Sequence, residues 1–251
     1  MRTAKTILTV IQERGKQKKP IERVYKLLFN RELYLNAYAK LYPNNGAMTK
    51  GVTDETVDGM SIQKIDRMIE ILREEKYQWK PARREYIKKK NGKKRPLGIP
   101  VWGDKVLQEV MRQILEAYYE PQFSEHSHGF RPNRGCHTAL QEIQVWKGTR
   151  WFIEGDISQY FDTIDHKILL EILARNIHDG RFIRLVSNML EAGYLEEWKF
   201  NQTISGVPQG GVISPILANI FLNEFDNWIE EVLIPKYTKE KGRNLIQNTT
   251  S

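Results

Sequence analysis

The chain has 251 residues, 40% of them hydrophobic, a single cysteine and a net charge of +8. That is enough apolar material for one large domain or two small ones, and Cys136 has no partner for an internal disulfide. The longest apolar stretches fall far short of a bilayer span and no secretory signal opens the sequence, so the expectation is a protein with no membrane segment, cytoplasmic in a bacterium. The charge is concentrated: nine basic residues lie between Lys80 and Arg95 against one acid, Glu85, and the rest of the chain balances to zero. Such a cluster suits a phosphate-bearing polymer, because neutralising a polyanion releases its counterions. A merely solvated charged face is the plain alternative.

In chain order, the pattern predicts a helix over Thr3–Glu13 that breaks across Gly15–Pro20, where Lys16, Lys18 and Lys19 stand. A second helix is predicted from Ile21 to about Leu41, with Tyr25, Phe29, Tyr34 and Tyr38 packing inward. Residues 42–59 read as loop. Ser61 caps a helix whose Ile62, Ile65, Ile69 and Leu72 share one face. Tyr86-Ile87, Asn91-Gly92 and Leu97–Pro100 then read as a β-hairpin with basic strands, in which alternation puts Lys88, Lys90 and Arg95 on related faces. A further helix begins near Asp104, with Leu107, Met111, Ile114 and Tyr118 inward. After it comes HGFRPNRG, where Arg131 and Arg134, stiffened by Pro132 and a glycine, suit contact with a phosphate backbone. His126, His128, Cys136 and His137 lie close enough to suggest zinc, but their spacing fits no standard ligand framework.

Trp151-Phe152-Ile153 has the bulk of a buried strand, and Gly155 lets the backbone approach whatever lies beyond its end. Asp156 then stands at the strand's mouth, where a carboxylate can bind a divalent cation. Asp165 reads as the cap of a helix with Ile168, Leu169, Ile172 and Leu173 on one side, and Asp162 as structural. His166 and His178 read as surface or capping residues. In SGVPQGGVISP, glycines flank one long amide, Gln209, which can hold a neutral donor and acceptor near a base or sugar, while Ser214-Pro215 start a helix behind it. The tail from Pro235 carries little apolar material.

The ordered segments KKNGKKRPLGIP, HGFRPNRGCHTAL, EGDISQYFDTIDH and GVPQGGVISPILANIFLNEFD resemble the fingers and palm of a group II intron reverse transcriptase, or intron maturase, over about Asn45 to Trp228. HGFRPNRG and the long N-terminal extension favour the intron lineage over cellular polymerases or diversity-generating reverse transcriptases. The resemblance implies an α+β, helix-rich, right-hand polymerase fold with an antiparallel palm sheet and a basic hairpin in the fingers. It divides the chain into an N-terminal helical extension (1–44), fingers (45–103, hairpin 86–99), palm (104–165), a return to the fingers (166–212), a palm helix (213–234) and a linker or frayed tail (235–251).

The implied site follows position by position. Asp156 matches the first catalytic aspartate, with the carbonyl of Ile157 completing its contacts to Mg²⁺, two ions in the complete enzyme. Phe161 matches the aromatic gate against a 2′-hydroxyl, and Gln209 the glutamine that positions the dNTP. Lys88 and Arg95 match the triphosphate ligands, with the lysine open to a slip to Lys89 or Lys90. Intron RNA would meet Lys16, Lys18, Lys19, Lys93, Lys94, Arg131 and Arg134. The partners are group II intron RNA, an RNA template with a DNA primer, and dNTP, with room for a homodimer. No Asp-Asp pair occurs in the 251 residues, so the family's Tyr-Ala-Asp-Asp hairpin is missing. The expectation is a fragment inactive on its own, from an RNA-dependent DNA polymerase. The competing reading is an RNA-binding splicing factor without polymerase chemistry.

Overall fold

The computed structural model describes residues 2–88, 92, 94–147, 154–197, 199–203, 205–207 and 210–237. In chain order the elements are α1 (Ala4–Lys16), β1 (Ile21–Glu22), a 3₁₀ segment (Val24–Phe29), α2 (Arg31–Leu41), α3 (Ile62–Arg73), β2 (Ala82–Lys88), β3 (Lys94–Ile99), α4 (Trp102–Tyr119), α5 (Cys136–Gln144), α6 (Tyr160–Thr163), α7 (His166–Asn176), β4 (Ile177–His178), α8 (Gly180–Leu190), β5 (Tyr194–Glu196), β6 (Lys199–Asn201) and α9 (Ser214–Trp228). They form two compact units: Met1–Gln122 with Ile153–Ala218, and Phe123–Phe152 with Asn219–Ser251.

The first unit is organised around α4. Val106, Leu107, Val110, Met111, Ile114, Leu115 and Tyr118 are fully buried, which takes in the predicted inward face and widens it. A helix apolar over so much of its circumference needs neighbours on several sides. α1 and α2 both pack on it. The crossing with α1 is close, because a Cβ on Gly15 would lie 2.1 Å from the carbonyl oxygen of Tyr118. That approach requires glycine at position 15, which lies within α1 and does not end it.

The single helix expected from Ile21 to Leu41 is divided. Ile21-Glu22 pairs in parallel with Ile177-His178, and Arg23 takes a left-handed backbone conformation. A fresh helix then starts at Asn30, whose side chain accepts from the amide of Glu32 at 2.9 Å. Pairing with a strand 156 positions away is a tertiary demand that local periodicity does not carry. Tyr25 shows the result: its amide donates to Asp179 at 2.9 Å and its hydroxyl to the carbonyl of Leu72 at 2.8 Å. Ser61 and Asp165 cap α3 and α7 as expected. Ile62 and Ile168, placed on buried faces by periodicity, are instead 57% and 46% exposed. Both lie in the first turn, where the capping geometry rather than the apolar stripe sets direction.

The basic hairpin forms, with Lys88 opposite Lys94 and Ile87 opposite Arg95. Directly opposed residues share a face and neighbours along a strand alternate, so Lys88 and Arg95 point to opposite faces of the sheet. The expectation that they lie on related faces is corrected by this register. β2 also pairs in parallel with β5, which pairs with β6, giving the order β3-β2-β5-β6. Among the described residues the larger sheet is therefore mixed rather than antiparallel throughout. Trp151–Ile153, the expected palm strand, lies outside the described residues, as do Lys89, Lys90, Asn91, Lys93 and Gln209.

In the second unit, HGFRPNRG is a self-bonded loop. Arg131 is buried and donates to the carbonyls of Ser124 at 2.5 Å and Ser127 at 2.7 Å, with its guanidinium 5.4 Å from the Phe123 ring centre. Arg134 donates to the carbonyl and carboxylate of Glu125. His126 and His128 both bond Glu142, and His128 also meets Thr138 at 2.8 Å, while Cys136 is exposed. The histidines thus hold a carboxylate, not the cysteine's side of a zinc site.

Asp104 sits 3% exposed near the start of α4, accepting from the Tyr77 hydroxyl at 2.6 Å and the Lys80 amide at 3.0 Å. Burial pushes its pKa up to about 6 against those two hydrogen bonds. A folded-state pKa above the unfolded value means the folded protein holds this proton more tightly. The contribution to stability is complete below about pH 4 and is lost as pH rises through about 6. Asp104→Asn is therefore expected to flatten the fall in unfolding free energy over that window by about 2–3 kcal/mol. Urea titrations of both proteins at several pH values check it, and identical slopes would refute it.

Candidate active site

Residues 154–157 lie outside helix and strand and are exposed, Asp156 among them and Ile157 by 56%. The chain then turns through Gln159, whose φ of 52° is left-handed, into the short helix α6. Phe161 and Asp162 are half-buried there, with the Phe161 ring 5.7 Å from that of Tyr160. The Tyr160 hydroxyl donates to the carbonyl of Ala218 at 2.8 Å.

The segment leading to Gln209 is strapped to α6 by its backbone. The Gly206 amide donates to the carbonyl of Ile164 at 2.8 Å and the Val207 amide to that of Phe161 at 2.6 Å. The Ser205 hydroxyl reaches the carbonyl of Asp162 at 3.2 Å, and His166 Nε2 meets the Gly206 carbonyl at 2.6 Å. A Cβ on Gly206 would lie 2.8 Å from the Asp162 backbone, and its φ is +91°. Glycine is what lets the two stretches of main chain touch.

Beyond Gln209 the chain is fixed to the hairpin. A Cβ on Gly210, at φ +104°, would lie 2.7 Å from the carbonyl oxygen of Gly98 and 2.6 Å from Leu97 Cδ1. The Val212 amide donates to Gln108 Oε1 of α4 at 2.9 Å. Lys105, buried one position from Asp104, donates to the carbonyls of Gly46 at 3.1 Å and Thr49 at 2.9 Å, and burial lowers its pKa. A cavity of about 200 Å³ lies beside Gly210, lined by Leu97, Ile99, Trp102, Lys105 and Val212.

Backbone contact thus brings together the segments carrying Phe161, the residues on both sides of Gln209, and the β3 strand carrying Arg95. Lys88 and Lys94 are on the other face of that sheet. Lys16, Lys18 and Lys19 are exposed at the end of α1, Lys16 paired with Glu13 at 2.7 Å. Gln108, His166 and Tyr160 were not legible as anchors. The one signal was a polar Gln108 set between the apolar Leu107 and Met111 of α4.

Among the described residues no group of three His, Cys, Asp or Glu side chains could hold a metal ion. Asp156 and the Ile157 carbonyl supply two oxygens, where Mg²⁺ takes six near-octahedral ligands. These residues do not complete a metal site.

The sequence signature of the family "Reverse transcriptase (RNA-dependent DNA polymerase)" matches residues 87–243. The chain is 48% identical over 225 residues to the group II intron-encoded protein LtrA of Lactococcus lactis subsp. cremoris, covering 89% of this chain and 37% of that protein. It is 46% identical over 237 residues to an uncharacterized 91 kDa protein in the cob intron of Schizosaccharomyces pombe, covering 91% of this chain and 29% of that protein. Among solved structures it is similar to a chain of a partial Cas6-RT-Cas1–Cas2 complex, with a TM-score of 0.54 at 20% identity over 83% of this chain and 35% of that one. The last similarity bears on fold alone, and the fold is that of polymerase fingers and palm. The chain belongs to the reverse transcriptase family, in the branch encoded by group II introns. It spans about a third of the length of the curated relatives it matches. Among the described residues no helix is long and apolar enough to cross a membrane.

Gly210→Ala is expected to lower the unfolding free energy by about 1–3 kcal/mol, from left-handed strain and the contact with Gly98. Gly46→Ala, with nothing within 4 Å of the added Cβ, is expected to stay within about 0.5 kcal/mol of the parent. Chemical denaturation of the two variants side by side tests the difference.

Proposed function

We propose that this chain is the fingers and palm portion of an RNA-dependent DNA polymerase that copies group II intron RNA and binds that RNA in splicing. The observation that supports it is the backbone junction of three segments, α6 with Phe161, the loop around Gln209 and the strand with Arg95. A polymerase needs these roles side by side: a gate under the sugar, an amide on the nucleotide and a cation on the triphosphate. Asp156, exposed one turn before α6, is the acid of this set. With Ile157 it would supply part of a Mg²⁺ site. Such ions would neutralise charge on the transferred phosphate and its leaving group.

The chain's own residues would orient the reactants. Arg95 shares the Leu97 side of the hairpin, against which Gly210 packs, which supports it as the cation on a triphosphate. Lys88 faces the other way, and the lysine ligand stays open to the slip to Lys89 or Lys90. Lys16, Lys18 and Lys19 remain RNA contacts in this reading, as does Lys93. Arg131 and Arg134 act through the loop they hold rather than as exposed phosphate ligands. A bacterial cytoplasm is the compartment implied.

In the full-length protein Asp156→Ala is expected to abolish primer extension on an RNA template while leaving intron RNA affinity within about twofold, since one exposed carboxylate adds little to polyanion binding. Normal extension would sink the polymerase reading and leave the splicing factor. Phe161→Val is expected to raise ribonucleotide incorporation about tenfold to a hundredfold, the scale on which a small pocket discriminates one group. Extension assays with mixed deoxy- and ribonucleotides measure it.

A further inference from the structure

The four-stranded sheet has a second face, turned away from Arg95. Register along β2, β3, β5 and β6 turns Arg84, Tyr86, Lys88, Lys94, Tyr194 and Lys199 to the side opposite Arg95 and Leu97. Among the described residues the one acid in these strands on this side is Glu196, which accepts from the Tyr86 hydroxyl at 2.6 Å. Cations and rings are interleaved: the Arg84 guanidinium lies 3.5 Å from the Tyr194 ring centre, and Lys94 Nζ lies 5.9 Å from that of Tyr86. Tyr86, Lys88, Lys94 and Lys199 are exposed.

Beside the Arg84–Tyr194 stack opens a cavity of about 360 Å³, walled by Gly98 of β3, by Asp162, and by Thr203 and Ser205. The chemistry is divided within it. The stack offers a flat, cationic wall, and Asp162 makes the floor unsuited to a phosphate. Phosphates are instead favoured outward, along Lys88 and Lys94. Aromatic faces with cations beside a basic track are how proteins hold single strands, since every base has a π-face and every linkage a charge.

We propose that this face is a second RNA-binding surface, taking a single-stranded RNA segment with one base in the cavity against Arg84 and Tyr194 and its backbone along Lys88 and Lys94. It serves to grip RNA on the face of the sheet opposite Arg95. The surface depends on the protein being an RNA binder and is independent of whether it polymerises.

The test is fluorescence anisotropy of a fluorescein-labelled single-stranded oligo(rA) with the 251-residue chain, alongside a folded group II intron RNA. Tyr194→Ala and Arg84→Gln are each expected to weaken oligo(rA) binding about tenfold, the scale of losing one stacked base. Tyr194→Phe is expected to retain affinity within about twofold, since the ring and not the hydroxyl does the stacking. Lys88→Glu with Lys94→Glu is expected to flatten the dependence of log affinity on log salt by about 1–2. Circular dichroism melts confirm that each variant folds. Parental oligo(rA) affinity in Tyr194→Ala and Arg84→Gln overturns the proposal, and so does an equal loss in Tyr194→Phe. Intron RNA binding without any oligo(rA) binding by the parent overturns this surface alone, whereas absence of both also overturns the RNA-binding reading.

Discussion

A helix buried on nearly every side must satisfy its polar side chains inside the protein, and in α4 four of them, Asp104, Lys105, Gln108 and Glu109, reach four different segments. Asp104 holds Tyr77 and Lys80, where the chain leads into β2. Lys105 holds the loop at Gly46 and Thr49. Gln108 holds Val212 on the far side of Gln209. Glu109 meets Arg112 at 2.7 Å and Lys40 of α2 at 3.4 Å. Positions 104 and 108 lie one turn apart on one side of the helix, and 105 and 109 on the next, so the helical repeat itself sets where these segments arrive. An unpaired polar group here would carry a desolvation penalty of about 1–3 kcal/mol. The anchors are therefore strong constraints as well as contacts.

The loops that α4 anchors are made rigid by main chain meeting main chain. Gly206 lies against the backbone of Phe161 and Asp162, and Gly210 against that of Gly98. Any side chain at either position would push apart segments that the chemistry needs together. Gly206 is thus tied to the segment that follows Asp156, and Gly210 to the hairpin of β2 and β3. The geometry needs no long side chains to bridge the parts, which keeps the space beside Gly210 open.

The basic run between Lys80 and Arg95 is not one patch. A strand's period of two divides it, sending Arg84, Lys88 and Lys94 to one face and Arg83 and Arg95 to the other. On the second face Arg83 is occupied by the carbonyl of Lys50 at 2.9 Å and by Glu85. On the first, the cations sit among tyrosines. One stretch of sequence can in this way meet a triphosphate on one side and a polynucleotide on the other, with different side chains and different neighbours.

Much of this protein was legible in its sequence. Ser61 and Asp165 announced their helices, the apolar face of α4 was visible in its spacing, the hairpin in its Asn-Gly turn, and the family in four ordered motifs. These are local signals, written in residues close enough along the chain to be read together. What only the tertiary structure decided are relations between distant residues. Ile21 pairs with Ile177 and so splits a predicted helix, the ladder puts Lys88 and Arg95 on opposite faces, and Arg131 turns inward to carbonyls that its composition did not reveal. The reason is physical: propensity and periodicity act over a turn or a strand, whereas strand register, burial of a cation and the approach of two backbones depend on which surfaces the folded chain brings into contact.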